Sequence, residues 1–425
     1  MNLKALFALV TLVLGGVFPN AAWQTIPQSQ AVQTGPTSQA QSVAKSAKAP
    51  VEIPFELANR HIILKVKIDG SRPLSFVLDT GDKYAIVSLD RAKELGLKLY
   101  GEVGMAGAGA ARQTGAFVRG STFTIPGFAG FSQPVSLALP IGKMAPGLGQ
   151  DFDGIIGFDF INEFVLELDY QARVIRLHDK DKFTYSGPGE SIPIDLKSSR
   201  HATGHPIMEA EVTLDGGAPV KGKYVLDIGS SLALALYSPF VKEHQLLGPS
   251  RKTIKAFGAG AGGEINARLG RVSELKIGRF RIPNPVTLFS EDKEGAFADS
   301  SLAGNIGTQI ASKFKMFLDY GRNRIILEPN VTFAEPFERA SGGVRIHAEG
   351  AEYRTFRVKN VLEDSPGSEA GLRPDDIITA IDGRPASELT LTKLNEMFER
   401  PVTYKLTVRR GEQVLNITLT PRKLV

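Results

Sequence analysis

The chain has 425 residues, 42% of them apolar and 22% charged, with a formal net charge of +5 and no cysteine. That length predicts two or three domains, and the composition excludes a wholly disordered chain, a collagen-like repeat and a multi-spanning membrane protein. Zero cysteine removes disulfides, thiolate metal sites, iron–sulfur clusters and cysteine nucleophiles, and the scattered Lys and Arg make no nucleic-acid surface. The 44 Gly and 25 Pro favour turn-rich β structure.

In chain order, residues 1–22 read as an export signal. Lys4 supplies the basic start, Ala5 to Phe18 the apolar run, and Pro19-Asn20-Ala21-Ala22 a small-residue cleavage region. This implies a secreted or periplasmic protein, with an uncleaved N-terminal anchor as the alternative. The run is short for a bilayer span, and no other segment reaches about 18 uninterrupted apolar residues. Residues 23–50, rich in Gln, Ser, Ala, Thr and Pro, read as a disordered tether. Trp23 lies at that junction and reports nothing about a binding site.

The chain then repeats itself. Residues 153–178 align without a gap on residues 303–328, an offset of 150, with nine of 26 positions identical. Upstream, FVLDTGDKYAIVS (76–88) matches YVLDIGSSLALAL (224–236) at an offset of 148. Each copy carries an Asp-Gly turn, at Asp69-Gly70 and Asp215-Gly216, and then a short helix. Ser88 and Ser238 are placed to cap those helices. A Gly-rich hairpin comes after each, GMAGAGA (104–110) and FGAGAGG (257–263). Two similar β-rich lobes in tandem, 51–182 and 190–332, suggest a pseudo-two-fold pair with something shared at the axis.

The matched acids are Asp79 and Asp227. Each ends an apolar strand and stands two residues before a glycine. A carboxylate there is costly unless paired or hydrogen-bonded. A two-fold axis would bring the two together, and like charges a few ångströms apart would share one proton. Such a pair can hold a water, one carboxylate acting as base and the other, protonated, polarising a carbonyl.

On these residues, 51–332 resembles the pepsin/retropepsin superfamily of aspartic peptidases. The resemblance rests on Asp79-Thr80-Gly81 and Asp227-Ile228-Gly229-Ser230, on Ile155-Ile156-Gly157 and Asn305-Ile306-Gly307, and on the hairpins, which fall where that family has its flaps. It implies a mainly β fold of two fused retropepsin-like lobes, with Asp79 and Asp227 catalytic. Thr80, Gly81, Ile228, Gly229 and Ser230 would support the dyad. Gly107, Ala108, Gly109, Gly258 and Gly260 would form the flaps. Two residues depart from the pattern. Ile228 stands where that family has a hydroxyl that bonds across the axis, leaving Thr80 alone to do so. Asp82 replaces a small residue and either stands near Asp79 or faces solvent as a turn residue.

Residues 340–425 resemble a PDZ domain of the bacterial protease type. The pattern is Ser365-Pro366, Ala370-Gly371-Leu372, Asp375-Asp376-Ile377-Ile378 and Ile381-Asp382-Gly383. The resemblance implies a peptide groove walled by a strand edge and by the helix of Leu391 and Leu394. Gly342, Gly343 and Val344 would form its carboxylate loop, with Gly350-Ala351-Glu352 as the alternative. Gly258, Gly260 and Gly263 spell a dinucleotide fingerprint, but residues 264–278 alternate like a strand where that motif needs a helix. His201 and His205 have metal-ligand spacing, but Gly204 and Pro206 argue against the helix it needs. The sequence implies no cofactor, no metal and no nucleic acid. The expectation is a monomeric aspartic endopeptidase acting on peptide or protein, with a PDZ module for protein termini. The alternative is a protease-fold peptide-binding protein without turnover.

Overall fold

The computed structural model describes residues 50–425, apart from 108–111, 197–203, 215, 249–250, 261–262 and 338–339, together with the backbone of Leu14–Gly15. The export signal (apart from that dipeptide), the tether to residue 49, Trp23, Ala108, Gly109, His201 and Asp215 lie outside the described residues.

Lobe 1 is built around the strand Leu74–Leu78, buried along its whole length. Such a strand must be covered on both faces. It runs antiparallel to His61–Ile68 and parallel to Gly154–Ile156. Asp69 and Gly70 both have positive φ, 48° and 79°, the two-residue hairpin turn that Asp-Gly encodes. Gly154–Ile156 inserts between Leu74–Leu78 and Ile86–Ser88, so a third strand passes beneath the loop that joins those two. Lobe 2 repeats the arrangement: Gly304–Ile306 lies parallel to Val220–Leu226 and antiparallel to Leu234–Leu236. The inserted strands start on glycine because nothing larger fits. A Cβ on Gly154 would stand 2.2 Å from the Phe76 ring, and one on Gly304 would stand 2.0 Å from the Ala235 carbonyl oxygen.

A six-stranded sheet joins the lobes. Val51–Pro54, Val165–Asp169 and Val174–His178 come from lobe 1, and Glu190–Pro193, Phe314–Asp319 and Arg324–Pro329 from lobe 2. At its centre Glu167 pairs with Phe317, flanked by Leu166 opposite Leu318 and Leu168 opposite Met316. Residue 317 is residue 167 plus the repeat offset of 150, so equivalent residues face each other and the pseudo-two-fold axis passes between them. One apolar cluster runs from Ile53 and Phe55 through Leu166 and Leu168 to Met316 and Leu318, so the lobes share a core.

In the C-terminal module Val344–Glu349, Thr355–Val361, Ile377–Ile381, Tyr404–Arg410 and Gln413–Leu419 make one sheet, with Val344–Glu349 at its edge. The helix Leu391–Phe398 packs on it through Leu391, Leu394 and Phe398. Ser365 caps the turn Pro366–Glu369 with a reciprocal capping box.

Two expected caps do not form. Ser88 stands at the N-cap of Leu89–Glu94 but makes no side-chain cap bond. Ser238 is the first residue of Ser238–Glu243, not its cap, and its hydroxyl donates to the Asp292 carbonyl at 2.5 Å. Both side chains are buried, and the Ser238 hydroxyl is engaged by a tertiary contact.

Replacing Gly304 with Ala is expected to cost about 3 kcal/mol, because the new methyl meets backbone that cannot yield. Replacing Gly321, which has open space, should change stability by less than about 0.5 kcal/mol. Denaturant unfolding of the two variants checks the pair.

Candidate active site

The backbone seats both acids in the same way. The Asp79 N–H donates to the Ile156 carbonyl and the Asp227 N–H to the Ile306 carbonyl, each at 2.9 Å. The inserted strands thus hold the two loops at matching heights in the two lobes. Both carboxyls are fully buried, and they lie close enough for the charge on Asp79 to act on Asp227. The Gly81 N–H donates to Asp79 Oδ1 at 2.7 Å. Gly229 lies flat against the other oxygen, where a Cβ would come within 2.0 Å of Asp79 Oδ2. Asp79 Oδ2 and Asp227 Oδ1 are buried and form no hydrogen bond of ordinary geometry with the rest of the chain.

Burial is the largest influence on both groups. It pushes Asp79 up to about 7, against hydrogen bonds from Gly81, Asp227 and Gly229 that favour its charge. Burial and then the Asp79 charge hold Asp227 well above the usual carboxylate range, opposed by Asn305 and Gly229. The pair therefore retains a proton at neutral pH.

The supports are unequal in the two lobes. Thr80 Oγ1 donates to the Leu226 carbonyl at 2.6 Å and accepts from the Ile228 N–H at 3.0 Å, tying lobe 1 to the lobe 2 loop. Ile228 offers no hydroxyl in return, and its side chain is part of the shared apolar core. The Ser230 carbonyl accepts from both the N–H and the hydroxyl of Thr308, at 2.8 and 2.9 Å. Asp82 does not face solvent: it is 1% exposed, and its carbonyl accepts from the Phe158 N–H at 2.7 Å. In the hairpins, Gly107 ends the strand Leu99–Gly107, while Gly258 and Gly260 pair with Ile265 and Gly263.

Three residues escaped the sequence reading. Asn305 occupies the place of Ile155, and its Nδ2 donates to Asp227 Oδ2 at 3.0 Å. A polar residue in an otherwise apolar repeat position was the available signal. His61 and His205 are the others. Ile63 pairs with Val77 and Ile207 with Val225, so each histidine falls level with the acid of its lobe. Burial, with Arg60 adding and the Gly229 backbone opposing, lowers the His61 pKa to about 4 and keeps it neutral. Burial likewise lowers His205 to about 4, opposed by the Asp299 charge. The signal was a second repeat, His61-Ile62-Ile63 and His205-Pro206-Ile207, at an offset of 144.

The C-terminal residues are placed differently from expectation. Leu394 is wholly buried in its domain's core, and Leu391 meets lobe 1 at Gly149 rather than open solvent. The Gly343 N–H is engaged by Ser341 Oγ at 3.0 Å, and the Gly342 and Gly343 carbonyls accept from Gly367 and Leu362. Val344 opens the edge strand. Gly350 to Glu352 lie in the turn at the far end of that strand.

Residues 64–160 match the family model described as aspartyl protease, and residues 357–410 match that of the PDZ domain. The chain therefore carries an aspartyl protease domain and a C-terminal PDZ domain. Asp79 lies inside the first match and Asp227 outside both. A curated relative, the serine protease HTRA1 of Xenopus laevis, is 31% identical over 67 residues, which is 16% of this chain and 14% of that protein. The chain thus spans only a small share of that relative's length. A crystal structure of the HtrA3 PDZ domain bound to a phage-derived ligand aligns with 20% of this chain and 86% of its own, at 25% identity and a TM-score of 0.18.

Because the folded state raises the Asp79 pKa, ionising it opposes folding. Its contribution to stability is intact below the ordinary carboxylate pKa of 3.8 and is lost as pH rises through about 7. Asp79→Asn, which cannot ionise, should therefore raise the thermal midpoint of the lobes by about 5 °C at pH 8. At pH 4 it should leave the midpoint nearly unchanged. Calorimetry at the two pH values reads the difference.

Proposed function

We propose that this chain is an aspartic endopeptidase in which Asp79 and Asp227 activate one water between them. The observation that carries the reading is the pair itself: two buried carboxyls, equivalent in the repeat and seated by matching backbone bonds, close enough for one charge to act on the other. Asp79, the less strongly raised of the two, takes the water's proton as it attacks the scissile carbonyl. Asp227 gives its proton to the carbonyl oxygen. As the C–N bond breaks, the proton gained by Asp79 passes to the leaving amine and a hydroxyl of the collapsing gem-diol returns its proton to Asp227, so the dyad is again singly protonated. Thr80 and the Gly81 and Gly229 amides hold the carboxylates in place, and the hairpins of Gly107 and of Gly258 and Gly260 close over an extended peptide. The PDZ module would take peptide or protein termini, and the protein would work as an exported monomer.

Asp79→Asn and Asp227→Asn are each expected to lower cleavage of a peptide library by at least a thousandfold while leaving the fold intact. If the wild-type protein cleaves nothing between pH 3 and 8 and still binds peptides, the chain is a binding protein instead.

The active form needs one proton on the pair. Activity should rise as the pH passes through about 7 and Asp79 ionises, and fall at higher pH as Asp227 loses its proton. Asn305 favours ionised Asp227, so Asn305→Leu should move the alkaline limb to higher pH and leave the acid limb in place. A pH–rate profile with its optimum at pH 2–3 would exclude this assignment.

A further inference from the structure

The groove between the edge strand Val344–Glu349 and the helix Leu391–Phe398 is not open. A helical turn of lobe 1, Ala145–Leu148, lies against that strand. The Gly147 backbone faces the His347 ring, and a Cβ on Gly149 would come within 2.6 Å of Leu391 Cβ, at the start of the helix. A second lobe 1 segment closes the other side. The Asn59 N–H donates to Thr392 Oγ1 at 2.8 Å, Asn395 Nδ2 donates to Asn59 Oδ1 at 3.0 Å, and Arg60 is ion-paired with Glu399. Asn59 Nδ2 also donates to the Gly147 carbonyl at 3.1 Å, joining the two segments.

Asn59 and Arg60 both have positive φ, 45° and 73°. They form the two-residue turn of the hairpin in which Ala58 pairs with His61. The helix of the C-terminal module hydrogen-bonds to the tip of that turn, and the next residue, His61, lies level with Asp79 in the strand register. A cavity of about 570 Å³ at the same junction is also lined by Thr308 and Gln309 of lobe 2. Their side chains donate to the Ser230 and Ser231 carbonyls, each at 2.9 Å.

We propose that lobe 1 occupies the PDZ groove in cis, and that this docking fixes the 59–61 turn against the Asp227 loop. A terminus from another chain can enter the groove only by displacing lobe 1, and its entry releases that turn. The docking stands apart from the peptidase reading; only its effect on cleavage rests on it.

Hydrogen exchange of the full chain tests this whether or not the protein cleaves anything. Glu399→Arg breaks the pair from the PDZ side. Exchange in residues 56–64 and 145–150 should rise at least fivefold, and adding Arg60→Glu to the same chain should restore protection. Thr392→Glu, which removes the acceptor for Asn59 and adds bulk, should act in the same way if Glu399→Arg disturbs its own helix. Unchanged protection of 56–64 in both single variants, or change confined to 390–400, would overturn the proposal. Where cleavage is measurable, the charge swap should also restore the pH profile that the single change displaces.

Discussion

Everything in the protease half depends on the pairing of Val165–Asp169 with Phe314–Asp319. That pairing places equivalent residues of the two lobes opposite each other, so the rest of each lobe takes up matching positions about one axis. Each inserted strand, Gly154–Ile156 and Gly304–Ile306, lies close in sequence before the central strand of its own lobe. A residue deletion between them would shift one acid loop relative to the other. The apolar residues that pair at the axis also belong to the shared core, so the burial that holds the lobes together acts at the place that aligns the acids. A chain without disulfides has its stability and the alignment of its two acids in the same contacts.

The repeat was the legible part of the sequence. Nine identities in 26 positions, together with Asp-x-Gly in both copies, carried the β architecture, since glycine and alternating apolar residues are constrained by strand packing alone. Asp79 and Asp227 stood out for the same reason: an acid at the end of an apolar strand is unusual in either copy. The illegible part was where the copies differ in side-chain partners. Asn305 stands where the other copy has Ile155, and the hydrogen bond it makes to Asp227 shows only in the fold. Ile228 looked like a lost hydroxyl, yet its backbone N–H is what Thr80 needs. Ser88 and Ser238 satisfied a local rule for helix caps that tertiary packing overrode. Leu391 also meets Gly149, 242 residues away, a contact that no local pattern encodes.

Differences between the lobes have energetic consequences. Burial raises both acids, so the folded chain is less stable at alkaline pH than one without them would be. The polar groups around the dyad reduce that cost unequally: Gly81 serves Asp79, Asn305 serves Asp227, and Gly229 serves both. The two neutral histidines level with the acids add no charge of their own, so they can pack beside the carboxyls without pairing with them.

Glu167 facing Phe317 has one more consequence. In a dimer of identical chains, any residue on the axis must face a copy of itself, and both halves of the cleft must be the same. Joining the halves in one chain lifts that restriction. An acidic side chain can then oppose an aromatic one, and Asn305 can attend one carboxyl while Ile155 leaves the other alone. A site built in this way has a left and a right, so under the proposed peptidase reading a polypeptide bound across the two acids would have a preferred direction from its N-terminus to its C-terminus.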